Sequence, residues 1–185
     1  MTDSISGENE VRDAQSPLSI VEFARRQVAV LERQMLSATD LADLLDLAIS
    51  GIRQLSGGTQ VEVWLHDPVD EVDRHLDVIG VLSGHVRLLS DSYDFVSLYD
   101  QTPRWDRVTS ATFNDIPLFQ SEVGVEQALL IPVMDHDLLV GSVHVANPRS
   151  TVMADDDQMK SLEDFVARVP LMINRIIEMD RIRDF

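Results

Sequence analysis

The stretch ALLIPVMDHDLLVGSVHVA, residues 128–146, decides the fold. Two apolar runs, 128–133 and 138–146, flank the polar segment Met134-Asp135-His136-Asp137. Strand-forming residues on both sides of a short polar turn are typical of a β-hairpin. In the second run Ser142, His144 and Ala146 share one face, because side chains alternate along a strand. The sequence therefore predicts two antiparallel strands with polar groups on one face.

More strands are predicted upstream of this hairpin. In Val61–His66 the apolar residues alternate with Glu62, Trp64 and His66, which indicates a strand buried on at least one face. Asp67-Pro68 begins a turn, and Asp70–Asp73 continues it as a solvated segment. Further strands are expected at His75–Leu82 and His85–Leu89.

Helical periodicity dominates the region before the strands. Residues 1–17 are polar without periodicity and are predicted to be a disordered tail. Residues 18–38 form a helix with a heptad seam, followed by a second helix from the capping-box pattern at 37–40 to Gly57-Gly58. The seam consists of Val21, Ala24, Val28, Leu31, Met35 and Ala38.

The C-terminal residues 156–185 predict a connector helix. Asp155 and Gln158 have capping-box spacing at its start, and Pro170 should kink the helix because proline lacks a backbone N–H. Its apolar residues form a second heptad seam: Leu162, Phe165, Val169, Met172, Ile176 and Met179.

This order of elements predicts an α+β fold. We expect a core over residues 39–155 with a central antiparallel sheet. The N- and C-terminal helices pack on one face, and a long aromatic-bearing connection over residues 90–124 covers the other.

Composition excludes several functions. The chain has 185 residues and a formal net charge of −17, which disfavours binding to nucleic acid or to an anionic membrane surface. No signal peptide or bilayer-length apolar run is visible, so a cytoplasmic location is expected. With no cysteine there is no thiolate chemistry, and the five histidines show no metal-ligand spacing. We predict no metal and no cofactor.

Two stretches resemble a known family. Val21–Leu31 (VEFARRQVAVL) is similar to the entry helix of a bacterial GAF-like family of unknown function, found alone or ahead of diguanylate cyclase (GGDEF) domains. Ala128–Val133 and Leu139–Ala146 resemble the last GAF hairpin, and the residues from Leu162 onward look like the connector into a GGDEF domain. The resemblance implies a non-catalytic sensory domain of a longer signalling protein, regulating an output such as cyclic di-GMP synthesis.

Departures from the motifs of GGDEF and other GAF proteins narrow the function that the resemblance implies. Gly57-Gly58 is followed by Thr59-Gln60 instead of two acidic residues and Phe, so the chain carries no cyclase signature. Of the cyclic-nucleotide motif N-K…F-x-x-x-D-E, Pro148 replaces the Lys, and Val169 and Pro170 replace the acids. GAF-type methionine-sulfoxide reductases and cysteine-linked bilin sensors need cysteine.

A ligand pocket is expected over the sheet face that carries Trp64 and His144. Tyr99 and Trp105 from the long connection would cover it, and Arg107 would meet an anionic group. The alternative is that Trp64 belongs to the core, that His144 is a buried histidine with satisfied hydrogen bonds, and that Arg107 offsets local acid.

The heptad seams allow two interpretations. They pack on the sheet, or they form a homodimer bundle through the candidate interface residues Val21, Ala24, Val28, Leu31, Met35, Leu162, Phe165, Val169, Met172, Ile176 and Met179. In the second case Leu31→Glu or Ile176→Glu should give folded monomers. The alternative function is a protein–protein interaction module without a ligand; a hydrolytic enzyme is the weakest candidate, since no catalytic motif is visible.

Overall fold

The computed structural model describes residues 17–76, 85–91, 99, 109–111 and 125–183, with backbone alone at 17–21 and 109–111. The elements, in chain order, are α1 (Pro17–Ser37), α2 (Leu41–Ser56), β1 (Gln60–His66), α3 (Glu71–His75), β2 (Val86–Leu89), β3 (Thr109–Ala111), β4 (Ala128–Asp135), β5 (Leu138–Ala146), α4 (Ser150–Met153), α5 (Asp156–Val166) and α6 (Val169–Arg183). The α+β prediction is confirmed. No helix in these ranges is long and apolar enough to cross a bilayer.

The five strands form one sheet in the order β2-β1-β5-β4-β3. The pairs β1–β5, β5–β4 and β4–β3 are antiparallel, and the predicted hairpin is present as β4 and β5. The prediction of an antiparallel sheet needs one correction, because β1 and β2 are parallel. The chain between them includes α3, and a crossover connection of this kind is what a parallel pair requires.

The segment after β1 differs from expectation. Of the predicted turn at Asp70–Asp73, Asp70 is the N-cap of the short helix α3 and the rest lies in its first turn, and His75, the start of the predicted strand, is its last residue. Buried Asp67 explains this helix, since its carboxylate accepts the backbone N–H groups of residues 71, 72 and 73. Residues 77–82 of that predicted strand lie outside the described ranges, whereas the strand predicted at His85–Leu89 is confirmed as β2.

Helix ends follow local chemistry. Asp40 caps α2 by accepting the backbone N–H of Asp43 at 2.8 Å, so the cap is Asp40, three residues beyond the start of the capping-box pattern. Gly57 ends α2 in the left-handed conformation, with φ 67°. At the second predicted start, Asp155 accepts the backbone N–H groups of Asp157 and Gln158.

The predicted kink near Pro170 is a break. Helix α5 ends at Val166 and α6 begins at Val169, so Pro170 lies in the first turn of α6. A proline is well tolerated there because the first turn of a helix has no partner for its N–H groups.

The helices lie on one face of the sheet. Helix α2 packs on β1, α5 and α6 pack on β4, and α1 packs as an outer layer on α2 and α5. The strand residues that meet them are Val61, Val63, Leu65, Leu129, Ile131, Val133, Val143 and Val145. This arrangement agrees with the predicted packing of the terminal helices on one face.

Burial changes the interpretation of the heptad seams. Most of their members lie in the core of this chain, including Leu31, Met35, Leu162, Phe165, Val169 and Ile176. Those six side chains are therefore unavailable to a partner, because α1 packs on α2 and α5, and α5 and α6 pack on α2 and β4. Four further members are half-buried: Ala24, Val28, Met172 and Met179. For Val21 the structure describes the backbone alone.

Candidate ligand-binding face of the sheet

The sheet has a second face, opposite the helices. We call this the second face, and it carries Gln60, Glu62 and Trp64 from β1 and Ser142, His144 and Ala146 from β5. Across the two strands Glu62 is paired with His144 and Trp64 with Ser142. All six residues are buried. The large majority of buried polar groups in proteins have hydrogen-bond partners, so the hydrogen bonds of these residues define what this face can do.

One part of the network is a chain of neutral groups. The Tyr99 hydroxyl lies 2.7 Å from Ser142 Oγ, and His144 Nε2 lies 2.8 Å from the same oxygen. Both distances are those of hydrogen bonds. A hydroxyl donates once and accepts twice, so Ser142 can link Tyr99 to His144 in either direction.

The other part is charged. Trp64 Nε1 donates to Glu62 Oε2 at 3.2 Å, and Arg87 Nη2 lies 3.9 Å from Glu62 Oε1. The Arg87 guanidinium also lies over the Trp64 ring, 4.9 Å from its centroid. These contacts place a cation and an indole N–H around a buried carboxylate.

His144 joins the two parts. Its Nδ1 is 4.0 Å from Glu62 Oε2, and its ring meets Trp64 edge-on with centroids 4.6 Å apart. Apolar side chains complete this face, among them Leu89, Val125, Ala128, Leu130 and Leu139. The result is a small polar network set in an apolar surface, which is the composition of a small-molecule site.

Burial and charge fix the protonation states. Burial raises the pKa of Glu62, but the facing His144 imidazole, the charge of Arg87 and the Trp64 N–H together hold that pKa below its usual value. Burial lowers the pKa of His144 more than Glu62 raises it. Burial also raises the pKa of the Tyr99 hydroxyl. At neutral pH the network therefore holds an anionic Glu62, a neutral His144 and a protonated Tyr99.

The order Ser142–His144–Glu62 superficially matches a nucleophile, a base and an acid. Ser142 Oγ is fully buried and hydrogen-bonded to Tyr99, and the 4.0 Å between His144 and Glu62 exceeds hydrogen-bond length. A hydrolytic nucleophile needs access to its substrate. In the part of the chain that the structure describes, no group of three or more acidic or histidine side chains is placed to hold a metal ion.

The predicted pocket residues divide into two groups. Trp64, Tyr99 and His144 lie together on the second face, whereas Trp105 and Arg107 lie outside the described residues. The hydrogen bonds of His144 and the burial of Trp64 also agree with the alternative of a plain core role, so a ligand role remains a proposal.

Three members of the network, Glu62, Ser142 and Arg87, were not among the predicted pocket residues, although alternation had placed Ser142 on the face of His144. The available signal was the alternation of β1, which places Glu62 beside Trp64. The pairing of Glu62 with His144 depends on strand register, and the position of Arg87 depends on the parallel pairing of β2.

The buried His144 predicts acid sensitivity. Its folded-state pKa lies below the ordinary value of 6.5, so protonation favours the unfolded chain and stability falls as the pH drops below about 6.5. The pKa of Glu62, also lowered, adds a further loss below its ordinary value of 4.5. We expect the urea midpoint to fall between pH 7.5 and pH 5.5, and His144→Gln to remove most of this fall.

His136→Gln is the matched control for this prediction. The His136 side chain is 89% exposed in the β4–β5 turn, so this variant should keep the pH dependence of the parent. An unchanged slope in His144→Gln would refute the account of the buried imidazole.

Comparisons with solved structures define the class: the chain has the GAF fold. It is similar to the GAF domain of an Acinetobacter phosphoenolpyruvate-protein phosphotransferase, with a TM-score of 0.54, 19% identity and coverage of 86% of this chain and 95% of that one. It is also similar to the chromophore-binding domain of an unusual bacteriophytochrome from R. palustris, with a TM-score of 0.56 and 19% identity, over 90% of this chain and 64% of that one. No protein-family model matches the sequence, and no curated protein is similar to it. The likeness at this identity concerns the fold.

Proposed function

We propose that this chain is a non-catalytic sensory domain that binds a small molecule at the second face. The observation that carries the proposal is the polar network of Glu62, Ser142 and His144, buried on a sheet face whose opposite side is filled by helices. Burying an ion and several polar groups is unfavourable compared with an apolar core of the same shape. A role in recognition explains why this face carries them.

Strand β5 supplies the route from the ligand to the rest of the molecule. Ser142 and His144 face the network, while Val143 and Val145 face the helices. Helix α6 packs on the neighbouring strand β4 and on α2. A ligand that shifts β5 therefore changes the packing of the last helix, by favouring one of two existing arrangements.

The output is proposed from the sequence resemblance. We propose that α6 leads toward a C-terminal output domain such as a diguanylate cyclase, so that the ligand controls cyclic di-GMP synthesis in the cytoplasm. The buried Ser142 supports a non-catalytic role for this part of the protein. The charge of −17 supports partners other than nucleic acid and membranes.

We also propose that the chain forms a homodimer, through exposed residues in place of the buried seam. Phe23 is 62% exposed and Val30 is 48% exposed, and seven-residue spacing places them on one side of α1. Phe23 also borders a groove of about 300 Å³ whose other walls include Ala24, Gln27 and Leu55. In a twofold dimer the Phe23 of each copy can fill the groove of the other.

Phe23→Glu tests this dimer. We expect the parent chain to be a dimer at tens of micromolar by light scattering, and the variant to be a folded monomer with an unchanged urea midpoint. Val69→Glu, which changes an equally exposed apolar residue far along the chain, should stay dimeric. A monomeric parent chain would end the dimer proposal.

The direct test of the sensory function is native mass spectrometry of the chain purified from cells, followed by thermal-shift measurements with metabolite pools. We expect a retained small molecule or a stabilising pool, and we expect Ser142→Ala to weaken either effect. The second candidate, a protein–protein interaction module without a ligand, is favoured by the close packing of Trp64 and His144. If no small molecule is retained and no pool stabilises the chain, the sensory proposal fails and the interaction module is the candidate that remains.

A further inference from the structure

Gln60 differs from the other polar residues of the second face in having a buried side-chain oxygen without a hydrogen bond. It is the first residue of β1, it is paired with Ala146 of β5, and only 7% of it is exposed. Its side-chain oxygen, Oε1, is buried and accepts no hydrogen bond. Native proteins keep few such buried acceptors, because each one has lost its water without gaining a donor.

Small apolar side chains lie beside Gln60 on the second face. Ala146 lies across from Gln60, and Ala128 on β4 lies across from Ala146. Both side chains are single methyl groups, and both belong to the apolar cluster of the second face. Both are fully buried, so a molecule that donates to Gln60 Oε1 would have to displace what covers these methyl groups.

Charge decides what kind of molecule fits. Glu62 lies two residues along β1 on the same face, about 7 Å from Gln60 along the strand. Its carboxylate is ionised and buried, while the Arg87 side chain opposite it is 31% exposed. Because water screens the partly exposed Arg87, the electrostatic potential beside Gln60 is set by the Gln60 oxygen and the Glu62 carboxylate, and it is negative. Such a potential attracts N–H donors and repels anions.

We infer that the second face takes a small neutral or cationic N–H donor, such as an amidine, a guanidine or an amino-substituted heterocycle, which donates to Gln60 Oε1. This inference rests on the proposed function and narrows it to one ligand class. It departs from the sequence-based expectation of an anionic ligand at Arg107.

Three probes of one shape test the ligand class. Benzamidine, benzamide and benzoate share a ring and differ in their donors and charge. Ligand-observed NMR titrations of the full chain should show millimolar or tighter binding of benzamidine, with benzoate at least about tenfold weaker. Benzoate binding as tightly as benzamidine, or no binding of benzamidine at millimolar concentration, overturns the inference.

Gln60→Leu tests the residue. Because the leucine removes an unsatisfied acceptor of similar size, we expect it to raise the thermal midpoint while it weakens benzamidine binding about tenfold. Gln60→Met is the second variant of similar volume, should the branched side chain not fit. Gln54→Leu, the same change at an exposed site on α2, should leave binding unchanged.

The outcomes separate this inference from the proposed function. Full benzamidine affinity in both Gln60 variants would assign the buried oxygen no role in binding and would overturn the inference. An anionic metabolite retained in native mass spectrometry would also overturn it, while the sensory function would stand.

Discussion

Leu31→Glu should unfold the chain, whereas Val30→Glu, one residue earlier, should leave it folded. Leu31 is 7% exposed and packs in the core, while Val30 is 48% exposed on the outer side of α1. A carboxylate at position 31 would lie in an apolar interior without a partner, at a cost above about 4 kcal/mol. That is a large part of the stability of a domain of this size.

Far-UV circular dichroism with urea unfolding measures this difference. We expect a cooperative transition near the parent midpoint for Val30→Glu and no cooperative transition for Leu31→Glu. Ile176→Glu and Leu171→Glu form a second pair of buried and exposed positions on α6 and should behave in the same way. A folded, monomeric Leu31→Glu would contradict the core assignment and restore the seam as an interface.

Gly141→Ala should cost roughly 3 kcal/mol, at the upper end of the range for overpacking. A Cβ at Gly141 would lie 2.3 Å from the backbone oxygen of Trp64 and 3.2 Å from Leu65 Cδ2. Because the nearest neighbour is a backbone atom of the paired strand, no side-chain rotation relieves the contact. β1 and β5 would have to move apart, and these two strands hold Glu62 and His144.

The same variant should also disturb the network. We expect a lower urea midpoint together with a change in the environment of the buried imidazole, observed as a shift of the His144 ring resonances. Leu138→Ala, an exposed change at the start of β5, should produce neither effect. A Gly141→Ala protein as stable as the parent would mean that β1 and β5 are less closely apposed than described.

Local chemistry made the hairpin and the helix ends predictable. Apolar runs on both sides of Met134–Asp137 determine β4 and β5, and Gly57 and Asp155 mark helix ends through their own backbone and side-chain hydrogen bonds. These features depend on residues close in sequence, so the local sequence pattern reveals them.

Features that depend on distant residues were not predictable. A heptad seam has the same pattern whether it packs on its own chain or on a second copy, and the chain itself covers Leu31 by bringing in α5 more than a hundred residues later. The parallel direction of β2 likewise follows from the crossover through α3. Sequence alternation placed Trp64 and His144 on one face, but the register that pairs Glu62 with His144 comes from the folded sheet.

The most direct test of the central claim follows the network itself by heteronuclear NMR. The Trp64 indole N–H and the His144 ring resonances are observed while the small-molecule fraction of a cell extract is added to the labelled chain. The account predicts that both shift, with smaller changes in α6 and none around Val30. Resonances that respond only on exposed surfaces, while Trp64 and His144 stay unchanged in every fraction, would contradict a ligand site on the second face.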